Sequence, residues 1–589
     1  MPCGTPLPAA KKKARRPRNP FKPAGPVIVD FSLSKVRPGV VWTVSSNNQI
    51  YNTMDGGKRW NNVSNITGLP PHAHLHTITA GDSADTAYVT ARISSRRHHH
   101  HHKAAAAVHG KAPKSAPPVH QDTDLPLIWR TTDGGRTWVS ITRGLPRNQR
   151  SGSWVNALRA DPKQPGLLFL ATGTTVYVSF DNGNHWQSLR QNLPSTAVTD
   201  LVVHTQYHLN DLVISTFGRG FWVLDDFTPL RSIATHARAI AASPAYLFRP
   251  ETAIRARENS NWDQPFDIEV PHAPNPPYGV IVDYYLRHKP NGPIKLQVFD
   301  ARGNLVRTLT STLPPPIKGQ LYPRYWLASP QARALPTRVG LNRYAWNLRY
   351  APPPAFRHDL ENQMNTVAGA TTPGPHGPQV IPGVYTLKLT VDGHVYTRHV
   401  TVMNDPRVGQ SRVLLAALRA QNRMNRRAYR GMQRSYRGYQ EVNAVRVQLT
   451  ALMHTHLSKP LATQAKALEA RLRKIGGNKS SGGFLARLLH PRPPPKPNAL
   501  RSFVAVNNAY NSLISLMQVG MDMWPTPAQL ATLNADCRHY DRTVASWTSL
   551  QTGKLAAFNT ALAANHLHEL RLAPVGLAAS SCGFVVDSR

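Results

Sequence analysis

At 589 residues and 41% hydrophobic composition, the chain is too long for one core and apolar enough for three or four globular units. The absence of any apolar run of about 18 residues excludes a membrane-spanning helix, and three cysteines (Cys3, Cys537 and Cys582) are too few and scattered for a disulfide framework or a zinc site, although a Cys537–Cys582 bridge stays open. A net charge of +39 is spread over every segment, so polyanions should bind non-specifically at low salt; no nucleic-acid fold signature accompanies it, and no specific nucleic-acid partner is expected.

Residues 1–26 form a basic, disordered tail in this reading. The cluster at 11–18 has no apolar stretch behind it and is not a secretory signal. Residues 27–245 then read as short strands punctuated by turns. One blade uses 27–31, 40–44, 49–53 and 60–64; a second uses 75–80, 87–91, 127–131 and 137–141. A third uses 154–159, 167–171, 175–179 and 185–189, and a fourth has only 198–203, 212–216 and 220–224. Residues 94–124, with the run His98 to His102, are a low-complexity insertion in the second blade.

Three of these blades carry one pattern, Ser/Thr-x-Asp-x-Gly-x-x-Trp. It occurs as Thr53, Asp55, Gly57 and Trp60, as Thr131, Asp133, Gly135 and Trp138, and as Ser179, Asp181, Gly183 and Trp186. The aspartate suits a turn whose backbone N–H groups it can accept, the glycine supplies a backbone shape other residues resist, and the tryptophan opens the next strand. A repeat in register decides architecture before chemistry. These residues are structural in this reading, not three catalytic aspartates.

The pattern resembles the Asp box of BNR, sialidase and sortilin (VPS10)-type β-propellers. The four blades, with Ser215 to Asp226, resemble the last four of a much longer propeller in large bacterial proteins named as BNR-repeat glycosyl hydrolases or sortilin-like proteins. That resemblance implies hairpins at the rim away from the binding face, and an extracytoplasmic, periplasmic or secreted protein. It also implies an N-terminally shortened member, because the family's upstream half and export signal are not in this sequence, which as written is cytoplasmic.

Residues 246–405 read as an immunoglobulin-type β-sandwich with strands at 280–286, 305–310, 384–391 and 394–402, and with Trp346 as a core aromatic. From 406 to 575 the period turns helical, with helices near 407–452, 461–474, 500–519 and 526–564 forming a hairpin or bundle, followed by a frayed tail at 576–589. The fold class is therefore mainly β: a partial propeller of about four blades, a sandwich, then a C-terminal helical bundle.

Glycoside hydrolysis needs two carboxylates across a cleft. The candidates are Asp200, Asp225 and Asp226, with Asp122 and Asp124 on the insertion, presented by loops on the face opposite the hairpins; none sits in a hydrolase motif. A sialidase would need an arginine triad and a tyrosine nucleophile, which Arg219 alone does not supply. His72, His74 and His76 alternate at a strand entrance and are weak metal candidates, but no carboxylate or cysteine completes a set and no cofactor is expected. On the first long helix Arg419, Arg423, Arg427, Arg430, Arg434 and Arg437 run beside Tyr429, Tyr436 and Tyr439, as a solvated face over a tyrosine-lined seam or a surface for an anionic partner. The function expected is non-catalytic binding of a polysaccharide or protein ligand. The alternatives are a glycoside hydrolase using propeller-face carboxylates, or a truncated, non-functional family fragment.

Overall fold

The computed structural model describes residues 25–93, 125–147, 152–256, 276–315, 333–357, 374–409, 411–478, 501–519 and 522–571, with residues 269, 273, 327, 329, 371, 577 and 582–585. The basic cluster at 11–18, the histidine-rich insertion, Asp122 and Asp124 lie outside the described residues. The chain divides into two compact units, 1–206 with 210–237, and 207–209 with 238–589.

The first unit is a row of antiparallel blades. Blade one contains β1 (Ile28–Leu33), β2 (Val41–Ser45), β3 (Ile50–Thr53) and β4 (Asn61–Asn62). Blade two contains β5 (Ala73–Ala80), β6 (Ala87–Ile93), β7 (Leu127–Thr131) and β8 (Val139–Ser140). Blade three contains β9 (Val155–Ala160), β10 (Leu168–Thr172), β11 (Val176–Ser179) and β12 (Gln187–Ser188). Blade four has only β13 (Val198–His204), β14 (Asp211–Thr216) and β15 (Phe221–Leu224). Strands pair in chain order within each blade, and the first strand of each packs on the first strand of the next. Apolar faces fill the gaps between blades. Trp42, Val44 and Ile50 meet Leu75, Val89 and Trp138, while Tyr88 and Ile128 meet Leu158, Leu170 and Trp186. Every strand the sequence predicted is present, as a partial propeller.

Each inner strand carries one extra residue at the same place: Val29 in β1, His76 in β5, Asn156 in β9 and Thr199 in β13. A bulge bends its strand and adds twist. The bulged ends are also tied blade to blade. Asn48 accepts from Leu75 N–H at 2.9 Å and donates to Ala73 O at 2.9 Å, and Asn156 donates to Val198 O at 2.6 Å.

Past β15 the sequence reading kept residues up to 245 in the blade, whereas the structure has a helix there, α1 (Thr228–Ala242), with non-helical backbone at His236. Its signal is local. Asp226 accepts the Thr228 N–H (3.0 Å) and hydroxyl (2.6 Å), and Pro229 falls in the first turn, where a missing N–H does no harm.

The second unit opens with a two-sheet sandwich. Its strands are β16 (Ala245–Leu247), β17 (Ala253–Arg255), β18 (Val280–Leu286), β19 (Lys295–Phe299), β20 (Leu305–Thr310), β21 (Gly340–Trp346), β22 (Gly383–Val391) and β23 (His394–Asn404). One sheet has the order β16-β18-β21 and the other β17-β23-β22-β19-β20. Trp346 is buried between them, edge-on to Tyr385 at 5.6 Å.

The helices are α2 (Arg412–Met453), α3 (Lys459–Gly476), α4 (Phe503–Val519), α5 (Pro527–Leu550) and α6 (Ala556–Ala564). A π turn at Gln551–Leu555 interrupts what the sequence predicted as one helix. α2 and α4 run close because glycines of α2 face rings of α4: a Cβ on Gly431 would stand 2.4 Å from Tyr510, and one on Gly438 2.6 Å from Phe503. The predicted tyrosine seam is real, and what covers it is the sandwich. Phe356 stacks on Tyr436 at 4.9 Å and meets Tyr439 edge-on at 4.7 Å, and Tyr350 lies 6.4 Å from Tyr429. The Cys537–Cys582 bridge is formed, with its Cα atoms 5.7 Å apart, and holds residues near the C-terminus to α5.

Candidate functional site

The three repeated hairpins share one hydrogen-bond circuit. In each, the Ser/Thr hydroxyl donates to the aspartate at 2.8 Å and accepts the N–H of the second glycine position at 2.9 Å. The aspartate then accepts the N–H four residues on, from Arg59 (3.0 Å), Thr137 (2.9 Å) and His185 (2.8 Å). These donors hold the carboxyls below their ordinary value. For Asp55 the Arg59 N–H acts first and the Thr53 hydroxyl second; the Thr137 hydroxyl and N–H take Asp133 to about 2. Burial pushes Asp181 up, but the His185 side chain and N–H outweigh it. All three aspartates close turns.

The tryptophans reach backwards. Trp138 Nε1 donates to Val63 O in blade one at 2.9 Å, and Trp186 Nε1 to Ile141 O in blade two at 2.8 Å. Trp60 has no such contact among the described residues and is 47% exposed. The first blade also leaves Ile28, Phe31 and Leu33 more than half exposed, as the fourth leaves Phe217 and Phe221.

At the end of the blades that carries these hairpins, the connection between the first two strands sits beside the repeated turn. Gly56 N–H donates to Gly39 O, Gly134 N–H to Asp85 O and Asn182 N–H to Gly166 O. A cleft of about 620 Å³ opens at this same end, walled by the far ends of β1, β5 and β9 and the loops after them. The family resemblance implied a binding face at the opposite end. Strand direction puts this cleft at the hairpin end: the first and third connections of a meander leave the sheet on one side, so inner-strand ends and hairpins are neighbours.

Six charged residues line the cleft, and three carboxylates and an arginine among them are tied into its wall. Asp30 Oδ2 accepts the Ile78 N–H at 2.9 Å and its Oδ1 the Phe31 N–H at 2.9 Å. Asp82 Oδ2 accepts the Gly166 N–H at 3.1 Å. Asp161, with a wholly buried side chain, takes both prongs of Arg231 at 2.5 and 2.9 Å and the Lys163 N–H at 3.0 Å. Arg159 reaches from the wall to Asp200 Oδ1 at 2.9 Å. The predicted residue Asp200 is thus the ion-pair partner of a cleft arginine. Sequence reasoning missed Asp30, Asp82, Asp161 and Arg159. Aligning blades one and four on their bulges would have found Asp30, since Val29-Asp30 and Thr199-Asp200 occupy the same register.

The other candidates do not converge. Asp226 is buried, starts α1, and gives its N–H to Asp211 Oδ1 at 3.1 Å. In the β13–β14 pair, Asp200 lies opposite Ser215 and His204 opposite Asp211. Asp200 and Asp226 therefore stand about four residues apart along the blade, roughly 13 Å, against about 5–10 Å for a glycosidase pair. Asp225 is half-buried beside Asp226. His72 and His74 are exposed, and His72 has a φ of 65°. The alternation stops at His76, the bulge residue, whose imidazole is pushed down by burial and then by Arg92. Among the described residues, the group of three ligand-type side chains close enough to share an ion is Cys537, Asp541 and Cys582, and its sulfurs are bonded to each other. No helix among the described residues is long and apolar enough to cross a membrane.

No family model matches the chain. It is similar to the oligoxyloglucan-reducing end-specific xyloglucanase of Emericella nidulans, 26% identical over 140 residues, which is 23% of this chain and 14% of that enzyme. Among solved structures it is similar to YCF48 bound to D1 peptide (17% identity, TM-score 0.23, 34% of this chain and 51% of that one). YCF48 from Cyanidioschyzon merolae follows at 16% identity and TM-score 0.21, over 34% and 53% of the two chains. An ancestral GH74 enzyme has 12% identity and TM-score 0.20, over 63% and 54%. At TM-scores this low the structural likenesses carry no argument, and the propeller character rests on the blades themselves. The chain thus has a propeller-like fold with a distant likeness to glycoside hydrolases.

Proposed function

We propose that the protein is a non-catalytic binding module of the BNR/sortilin-like kind, holding a polysaccharide or protein partner in the cleft at the hairpin end of its blades. The observation that carries this reading is the state of the cleft carboxylates. Asp30, Asp82 and Asp161 all have backbone or guanidinium donors on them. A glycosidase needs one carboxyl free to give its proton to the leaving oxygen and a second free for water or the sugar. With the carboxylates bracing the wall, Arg159 on Asp200 and Lys163 on Asn210 at 3.0 Å, Lys35 is the cleft cation placed to meet a polar ligand. An extracytoplasmic setting is supported by the Cys537–Cys582 disulfide, which persists in oxidising compartments.

The rival reading, glycoside hydrolysis, draws on the likeness to the xyloglucanase. Incubating the full chain with xyloglucan and other plant and bacterial glycans separates the two. Binding predicts retention on an immobilised polymer or protein with no new reducing ends. Release of reducing ends by the wild type, lost on Asp30→Asn or Asp200→Asn, would overturn the proposal.

A further inference from the structure

The helix α2 carries nine arginines and one acid, Glu441. Three of them, Arg419, Arg423 and Arg426, recur at the four- and three-residue steps that share a helix face. They face a cavity of about 300 Å³, closed on its other side by the turn between β19 and β20 and by the start of β22. Arg302 of that turn also lines it, so four guanidinium-bearing residues surround one space.

Several other arginines of this unit are neutralised by contact. Arg255 meets Asp522 at 2.7 Å, Arg343 meets Asp283 at 2.8 Å, and Arg446, also on α2, meets Glu469 at 3.0 Å. None of Arg302, Arg419, Arg423 and Arg426 has a carboxylate within ion-pair distance among the described residues. The one acid lining the cavity, Asp300, is already occupied. It accepts the N–H groups of Arg302 (3.0 Å) and Asn304 (2.9 Å), and the Asn304 amide at 3.0 and 3.2 Å. Arg426 is meanwhile fixed in place, its guanidinium 5.2 Å from the Tyr350 ring, which Tyr429 backs at 6.4 Å. One turn further, the Arg430 guanidinium is pushed down by burial and then by Arg426, Arg427 and Arg434, so the positive field continues along the helix.

We infer that this cavity, between the sandwich turn and α2, is a binding site for a ligand bearing two or more oxyanion groups, held by Arg419, Arg423 and Arg426 with Arg302 on the opposite wall. Guanidinium forks match carboxylate, sulfate and phosphate oxygens two at a time. Seven residues of helix separate Arg419 from Arg426, about 10 Å, so one small monovalent ion does not span the three. The site lies in the second unit and stands independently of the propeller cleft.

The test is calorimetric titration of the full chain at about 0.15 M salt, where diffuse attraction to a basic protein is screened. Two probes distinguish the sources of the oxyanion: inorganic tripolyphosphate and a short oligogalacturonate. Saturable binding of either, weakened about tenfold or more by Arg419→Gln with Arg423→Gln, supports the site. Arg426→Lys keeps the charge but removes the fork, and should weaken binding without changing thermal unfolding. Arg471→Gln with Lys474→Gln, an exposed change of equal charge on α3, should leave affinity within about twofold. No saturable binding of either probe, or an equal loss with Arg471→Gln and Lys474→Gln, would overturn the inference.

Discussion

The first and second hairpins contain the same circuit, yet their tryptophans have different fates. Thr53, Asp55 and Gly57 bond one another as Thr131, Asp133 and Gly135 do, to within about a tenth of an ångström. Trp138 is nonetheless 6% exposed, edge-on to Trp42 at 6.3 Å and bonded to Val63, while Trp60 stands 47% exposed. The turn is a local structure that eight residues specify. The tryptophan's place depends on the blade before it. Sequence identity at a repeat therefore guarantees the hairpin and not its contribution to stability.

The largest test of that contrast is truncation of the ring. Trp138→Ala and Trp186→Ala should each cost about 3–5 kcal/mol in denaturant unfolding of the blades, and Trp60→Ala less than about 1 kcal/mol. Equal losses at the three would break the comparison. The glycines come next. A Cβ on Gly135 would stand 2.6 Å from Val63, and one on Gly183 2.5 Å from Ile141, whereas one on Gly57 meets only the Trp60 ring at 3.8 Å. With φ between 88° and 94°, all three carry backbone strain on substitution. Gly57→Ala should destabilise by about 1–2 kcal/mol, and Gly135→Ala and Gly183→Ala by about 2–4 kcal/mol because crowding adds to it.

Removing the hub hydroxyl probes the part that is shared. Thr53→Ala and Thr131→Ala should each lose about 1–2 kcal/mol, and a large difference between them would show the hairpin to be less local than its bonds indicate. Acid gives the smallest effect. Asp133 sits at about 2, below the ordinary carboxylate value, so its contribution is complete above about pH 4 and disappears as pH falls through about 2. Two-dimensional NMR of the Thr137 N–H between pH 4 and 2 should show this, and Asp133→Asn should remove the titration.

The same division between local and distant explains what the sequence reading reached. The blades were legible because alternation and turn residues lie within a few positions of each other, as in β9 to β12. The helix α1 had a local signal too, in Asp226, Thr228 and Pro229, but its position straight after β15 made it read as the end of a blade. The cleft was hidden for a different reason. Asp30, Asp82 and Asp161 belong to three blades, and only packing of β1, β5 and β9 brings them together. The Cys537–Cys582 bridge spans 45 residues, a separation that spacing alone leaves undecided. The arginine stripe was visible, but which arginines share a cavity depends on where the β19–β20 turn docks on α2.

The tryptophan link gives the blade row a polarity. The indoles of Trp138 and Trp186 each donate to the blade before, so blades one and two offer a carbonyl forwards and blades two and three a ring backwards. Blade two is latched on both sides, and blades one and three on one. In a nearest-neighbour array, opening starts where couplings are fewest. Amide exchange should therefore be faster in β1 to β4 than in the doubly latched β5 to β8, a difference written by one directional bond that recurs along the chain.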